Sequence, residues 1–135
     1  MKPMRRDQRI AVHAYECVRK VQPAHQDDYR TAVNTLGPAI LRDGLCAALA
    51  FLERNAKSAA YKQFFADLAA ADIRGLSAGD IKSSTPGKQL ALAEPEHALP
   101  ERARRLDLDT YMLASREALL VAHWFKRAVQ AVFED

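Results

Sequence analysis

The segment that most constrains this chain runs from Tyr111 to Arg127, a long stretch of helix-forming sequence that is apolar on more than one side. Winding it at about 100° per residue places Tyr111, Ala118, Ala122, Phe125, Val129 and Phe133 on one broad stripe. Leu113, Leu120 and Trp124 fall on a second stripe, roughly opposite. Between the two lie Arg116, His123 and Arg127, which share one direction because they follow each other at helical spacings. Contact with a single domain core covers one stripe only. Two arrangements satisfy the pattern: a central helix buried on both sides of a small bundle, or a helix whose second stripe of Leu113, Leu120 and Trp124 faces another subunit.

The rest of the chain supplies helices for such a bundle. Ile10, Ala14, Cys17, Val18 and Val21 recur at three and four, giving one helical face that Pro23 terminates. The other side of that helix carries Arg5, Arg9 and Lys20 in a narrow arc flanked by Arg6 and Arg19, with Glu16 partly offsetting the charge. A second helix starts near Asp27, buries Tyr29, Ala32, Val33 and Leu36, and meets Gly37-Pro38, where the proline predicts a break or kink. Asp43-Gly44 then offers either a glycine that ends this helix or an aspartate that caps the next. From Leu45 to about Asn55 an alanine-rich run with Leu45, Ala48, Leu49 and Leu52 predicts a closely packed buried helix, and Tyr61, Phe64, Phe65 and Leu68 mark a fourth, reaching to about Ala71.

Residues 74–100 hold Gly75, Gly79, Pro86, Gly87, Pro95 and Pro100 and predict a long loop with at most short helices. Arg102 to Arg105 offers a helical turn, and Asp107 or Asp109 caps the final helix. The sequence shows no β-alternating run and no internal repeat. The expected fold is therefore all-α: a compact single-domain bundle of about five to six helices over residues 1–135, with a long loop before the C-terminal helix.

Composition narrows the class. Hydrophobic residues at 49% and charged residues at 27% are globular proportions, and no apolar run approaches the roughly 20 residues of a membrane span. The start, Met1-Lys2-Pro3-Met4-Arg5-Arg6, leads into Asp7-Gln8-Arg9 instead of an apolar signal core, so a cytoplasmic protein is expected. A formal charge of +3 permits contact with phosphates without requiring it. Cys17 and Cys46 both sit in helical apolar patterns and are expected to be free, buried thiols.

Catalytic signatures are missing. No glycine-flanked serine, histidine–glutamate helix pair or phosphate-cradling loop is present, and Gly87-Lys88 lacks both the upstream glycine and the following hydroxyl of a P-loop. His13 and Cys17, four apart, combine with Cys46 and His123 into a conceivable zinc set, but dispersed single ligands are more often packing residues. His25 and His97 read as solvated, and Asp27 and Asp28 as helix-start residues. Glu94, Glu96 and Glu101 near His97 are the only acids that favour a small enzyme, and nothing constrains their geometry. The expectation is a non-enzymatic protein without cofactor, metal or small-molecule substrate.

Three segments together resemble one family. They are Arg9-Ile10-Ala11 leading to Tyr15 and Val18; Leu36-Gly37-Pro38-Ala39-Ile40-Leu41-Arg42-Asp43-Gly44-Leu45 running into Ala48-Leu49-Ala50-Phe51-Leu52; and Tyr111-Met112 through Arg116-Glu117-Ala118-Leu119 to Trp124-Phe125-Lys126-Arg127-Ala128. This order resembles the small helical subunit of the type III-B CRISPR effector, the Cmr complex. The family often carries Asn where this chain has Asp43.

The resemblance implies a non-catalytic subunit present in several copies, stacked beside RNA-binding backbone subunits and facing target RNA as it pairs with the guide. Its implied partners are other Cmr subunits, copies of itself, and guide and target RNA, with no membrane. A path for RNA needs lysine and arginine for phosphate neutralisation. Arg116, Lys126 and Arg127 are the first candidates, Arg42 beside the Asp43-Gly44 turn the next, and Arg5, Arg9 and Lys20 a second face. The alternative is a free-standing helical DNA-binding regulator, disfavoured because the helix after Gly44 is almost wholly apolar.

Overall fold

The computed structural model describes residues 5–71, 73, 74, 76 and 95–133. Helix α1 spans Arg6–Arg19, and a 3-10 turn at Pro23–His25 leads into α2, Gln26–Asp43. Helices α3, Leu45–Arg54, and α4, Ala59–Ala69, follow; then come α5, Pro95–Arg104, and α6, Leu108–Phe133. No strand occurs among the described residues. The fold is all-α.

Helix α6 is the axis. Helices α1 and α2 pack along it, α2 also touches α3 and α4, and α5 closes against α3 and α4. Its buried face carries Ala114, Ala118, Val121, Ala122, Phe125, Ala128, Val129 and Phe133, so small alanines let neighbouring helices approach while Phe125 fills the centre. Phe125 meets Phe64 edge-on at 5.4 Å, Phe64 meets Tyr29 at 5.4 Å, and Tyr29 meets Phe133 at 6.2 Å. This chain of rings ties α6, α4 and α2 together in the edge-to-face geometry that aromatic quadrupoles favour.

Helix α2 does not break at Pro38 but runs through it to Asp43. Proline supplies no N–H to the carbonyl of Asn34, four residues earlier, yet both residues are exposed, so water can take that carbonyl. Gly37 helps, because a residue before proline is disfavoured in a helix partly by a clash of its own Cβ with the proline ring, and glycine has none. The helix ends at Gly44, whose φ of +94° lies in the region glycine alone enters freely. Gly44 N–H donates to Ile40 O at 2.9 Å and its carbonyl accepts from Ala48 N–H at 3.0 Å, so one glycine closes α2 and opens α3. Asp43 does not cap; it pairs with Arg42.

The expected loop is shorter than 74–100, since Pro95–Pro100 belongs to α5. Pro95 is tolerated at the first position of α5, where its missing N–H costs nothing; Pro100 lies inside the helix, and burial of Leu99 and Ala103 holds α5 together across it. Ile73 and Leu76 are also buried, and residues 77–94 lie outside the described residues. Asp107, not Asp109, caps α6: its Oδ1 accepts from Thr110 N–H at 2.8 Å, which holds the Asp107 carboxyl below its usual pKa. Both cysteines are free, but half-buried instead of fully buried. Among the described residues no helix is long and apolar enough to cross a membrane.

Candidate nucleic-acid and subunit interface

With one face of α6 committed to the core, its opposite side is left outward. Arg116, His123, Lys126 and Arg127 are all exposed there. Glu117, the acid in this stretch, turns to the flank instead and pairs with Arg6 of α1 at 2.5 Å, both side chains being largely buried. That pair takes Arg6 out of the row on α1 and removes a negative charge from beside Arg116.

Arg127 is held in place by two neighbours. Its Nε donates to His123 Nε2 at 2.9 Å, which requires the imidazole to accept through that nitrogen. Its guanidinium carbon lies 5.6 Å from the centroid of the Trp124 ring, within cation–π range. A guanidinium fixed against a ring loses less freedom on gripping a phosphate than a free lysine does.

The second stripe takes an intermediate position. Leu120 and Trp124 are half-buried and pack against the edge of the core, and Leu113 is half-buried. More apolar surface is exposed elsewhere. Leu41 is 76% exposed, Leu108 71% and Met112 56%. None of these was legible as an interface from the core stripe, although Leu108 and Met112 stand four apart on α6 and both fall off it.

Two concavities border the outward side of α6. An open hollow of about 570 Å³ has Tyr15 of α1 on its rim and His123, Lys126, Arg127 and Gln130 along α6. A narrower groove of about 270 Å³ runs between α2 and α6, with Pro38 and Leu41 on one wall and Leu119 on the other. His123 and Lys126 line both, so the two adjoin along α6.

The remaining candidates are scattered. Arg42 is exposed next to Leu41, but Asp43 accepts from its Nε at 3.2 Å, raising the guanidinium pKa and offsetting its field. Arg5 precedes α1 and pairs with Asp7 at 3.7 Å, while Arg9 on α1 and Lys20 just past its end are exposed. The zinc set does not assemble as four. His13 and Cys17 touch, with Sγ 3.6 Å from Nε2, but Cys46 lies beside Tyr111 and His123 is engaged with Arg127. Among the described residues no three metal-ligating side chains come together.

The sequence pattern of the CRISPR-associated protein (Cas_Cmr5) family matches residues 6–132, nearly the whole described fold. The chain belongs to the Cas_Cmr5 family. It is similar to the CRISPR system Cmr subunit Cmr5 of Thermus thermophilus, with 32% identity over 131 residues, spanning 96% of this chain and 97% of that protein. It is also similar to the crystal structure of a CRISPR-associated Cmr5 family protein from Thermus thermophilus: TM-score 0.72, 30% identity, 97% of this chain and 100% of the other. The resemblance carried by the three sequence segments thus identifies the right family, the small subunit of the type III-B Cmr system. The geometry of this Cmr5-family chain also fits poorly with a recognition helix at α3, which buries Leu45, Ala48, Leu49 and Leu52 and exposes Ala47, Ala50, Phe51 and Arg54.

Proposed function

We propose that this protein is a non-catalytic structural subunit of the RNA-guided, RNA-targeting Cmr ribonucleoprotein, stacking in several copies beside backbone subunits and contacting guide and target RNA through basic surface. The observation that carries the RNA contact is the outward arc of Arg116, Lys126 and Arg127 on α6, with the nearby Glu117 drawn aside by Arg6. Such an arc neutralises phosphates without reading sequence, since its donors meet the backbone and no base-reading helix projects from it. The subunit contacts are assigned to Leu113, Leu120 and Trp124, whose half-exposed apolar area remains available beside the arc. Arg42, Arg5, Arg9 and Lys20 form secondary basic surface.

The test is reconstitution of the Cmr complex with Arg116→Glu/Arg127→Glu in place of the natural subunit. The complex should assemble, crosslink less to RNA through this subunit, and show a shallower fall of that crosslinking with rising salt than the natural subunit does, because fewer phosphates are neutralised. Undiminished crosslinking would sink the assignment of α6 to RNA. Target RNA cleavage abolished by a substitution in this chain that leaves assembly and RNA binding intact would sink the non-catalytic role.

A further inference from the structure

We infer that the groove between α2 and α6 receives one unpaired nucleobase of an RNA strand whose adjacent phosphate lies on Lys126 and Arg127. This rests on the RNA-contacting role proposed above and adds to it a preference for unpaired over paired RNA.

The chemistry of the two concavities differs, and a nucleotide matches the difference. The walls of the groove are mostly apolar, from Pro38 and Leu41 on α2 and Leu119 on α6, with Asn34 adding a polar side chain on the α2 wall, and Leu41 stands 76% exposed with its side chain toward no core. The floor is open at Gly37, where an added Cβ would meet no atom within 4 Å. At about 270 Å³ the groove lies just under the roughly 300–1,000 Å³ of pockets that hold drug-sized ligands, a size suited to one flat ring system. The end of the groove is cationic. His123 and Lys126 belong to both concavities, and Arg127, fixed on Trp124 and His123, stands next to them.

A nucleotide is apolar on the faces of its base and anionic a short distance away at its phosphate. The same polarity runs along this surface, from Leu41 and Leu119 to Lys126 and Arg127. A base held in a duplex keeps its faces against its neighbours and cannot enter, so phosphates of paired and unpaired RNA compete for the cations while only unpaired RNA gains the groove.

The experiment measures binding of the full chain to a short single-stranded RNA and to the same strand annealed to its complement. Leu41→Ala removes one wall from a largely exposed position and keeps the charge; thermal melting confirms the fold. It should weaken single-strand binding on the order of tenfold, the loss expected when one base loses its apolar seat, and leave duplex binding unchanged. Lys126→Gln/Arg127→Gln should weaken both. If Leu41→Ala binds the single strand like the natural chain while the charge variant still weakens both RNAs, the groove proposal falls and the RNA-contacting role stands. If the charge variant changes neither, that role itself falls. Uridine monophosphate binding as tightly as the strand would overturn an RNA occupant in favour of a free nucleotide.

Discussion

The hydroxyl of Tyr29 donates to Asp67 Oδ2 across 2.7 Å, joining α2 to α4 beside the ring chain of the core. Tyr29 is fully buried, and burial raises its phenol pKa well above the ordinary range. Burial likewise raises the Asp67 carboxyl, against the lowering effect of its hydrogen bond from Tyr29. His13 reaches the same residue from α1 through its Nε2 contact with the Asp67 carbonyl at 2.9 Å.

A raised carboxyl pKa means that the folded protein holds its proton to higher pH than the unfolded chain does. The resulting stabilisation is complete below the unfolded pKa of about 3.9 and is lost as pH rises through the folded value. Asp67→Asn keeps an acceptor for Tyr29 and cannot ionise. The stability difference between the variant and the natural chain should therefore move in favour of the variant from acid to neutral pH, measured by urea unfolding across that window. A difference independent of pH would refute the assignment.

Tyr29→Phe removes the donor and keeps the ring. It should cost about 1–3 kcal/mol, the penalty of leaving a desolvated acceptor unpaired. Chemical unfolding measures it, and Asp67→Asn/Tyr29→Phe should recover part of the loss, because a neutral amide left without its donor is less costly than a carboxylate.

Burial and the nearby Asp67 push the Cys17 thiol up to about 12, from an ordinary 9.0. Near pH 8 its thiolate fraction falls on the order of a thousandfold, and the thiolate is the reacting species. Iodoacetamide should accordingly modify Cys17 far more slowly in the folded chain than in urea, as read by peptide mass spectrometry. Equal rates in the two states would contradict the structure.

Phe125 and Trp124 are adjacent on α6 but differ in surroundings. Phe125→Ala empties the centre of the ring chain and should cost about 3–5 kcal/mol. Trp124 is half-buried and seats Arg127, so Trp124→Ala should cost about 1–2 kcal/mol through partial loss of burial and of the cation–π contact. Thermal unfolding separates the two. Equal losses would mean that both sides of α6 are core.

Most of the helices were legible because their apolar residues keep the helical period and because buried faces are mostly occupied by Val, Leu, Ile, Phe and Ala. The stripe through Phe125, Val129 and Phe133 is buried as its spacing predicts. Pro38 was misleading because whether a proline breaks a helix depends on what becomes of the carbonyl it leaves behind, a tertiary matter of exposure. Pro95 and Pro100 misled for a different reason: Pro95 stands at the first position of α5, where no N–H is needed, and burial of Leu99 and Ala103 outweighs the local preference against Pro100. At the candidate site, the shared direction of Arg116, His123 and Arg127 follows from spacing alone. Glu117 turning to Arg6 and the groove at Leu41 depend on which helix lies beside α6, and no local pattern carries that.

Gly44 leaves α2 and α3 no spacer, and the hydroxyl of Tyr111 accepts from Cys46 N–H at 3.0 Å just beyond it. An alanine Cβ there would sit 3.5 Å from that hydroxyl, a tolerable contact, so Gly44→Ala should lose about 1–3 kcal/mol from its backbone conformation alone. A junction of this kind works as a rigid elbow. Rotation of α3 would have to drag the end of α2 and the start of α6 with it, so whatever docks against α3 is felt at Leu41, the groove wall that stands at the end of α2.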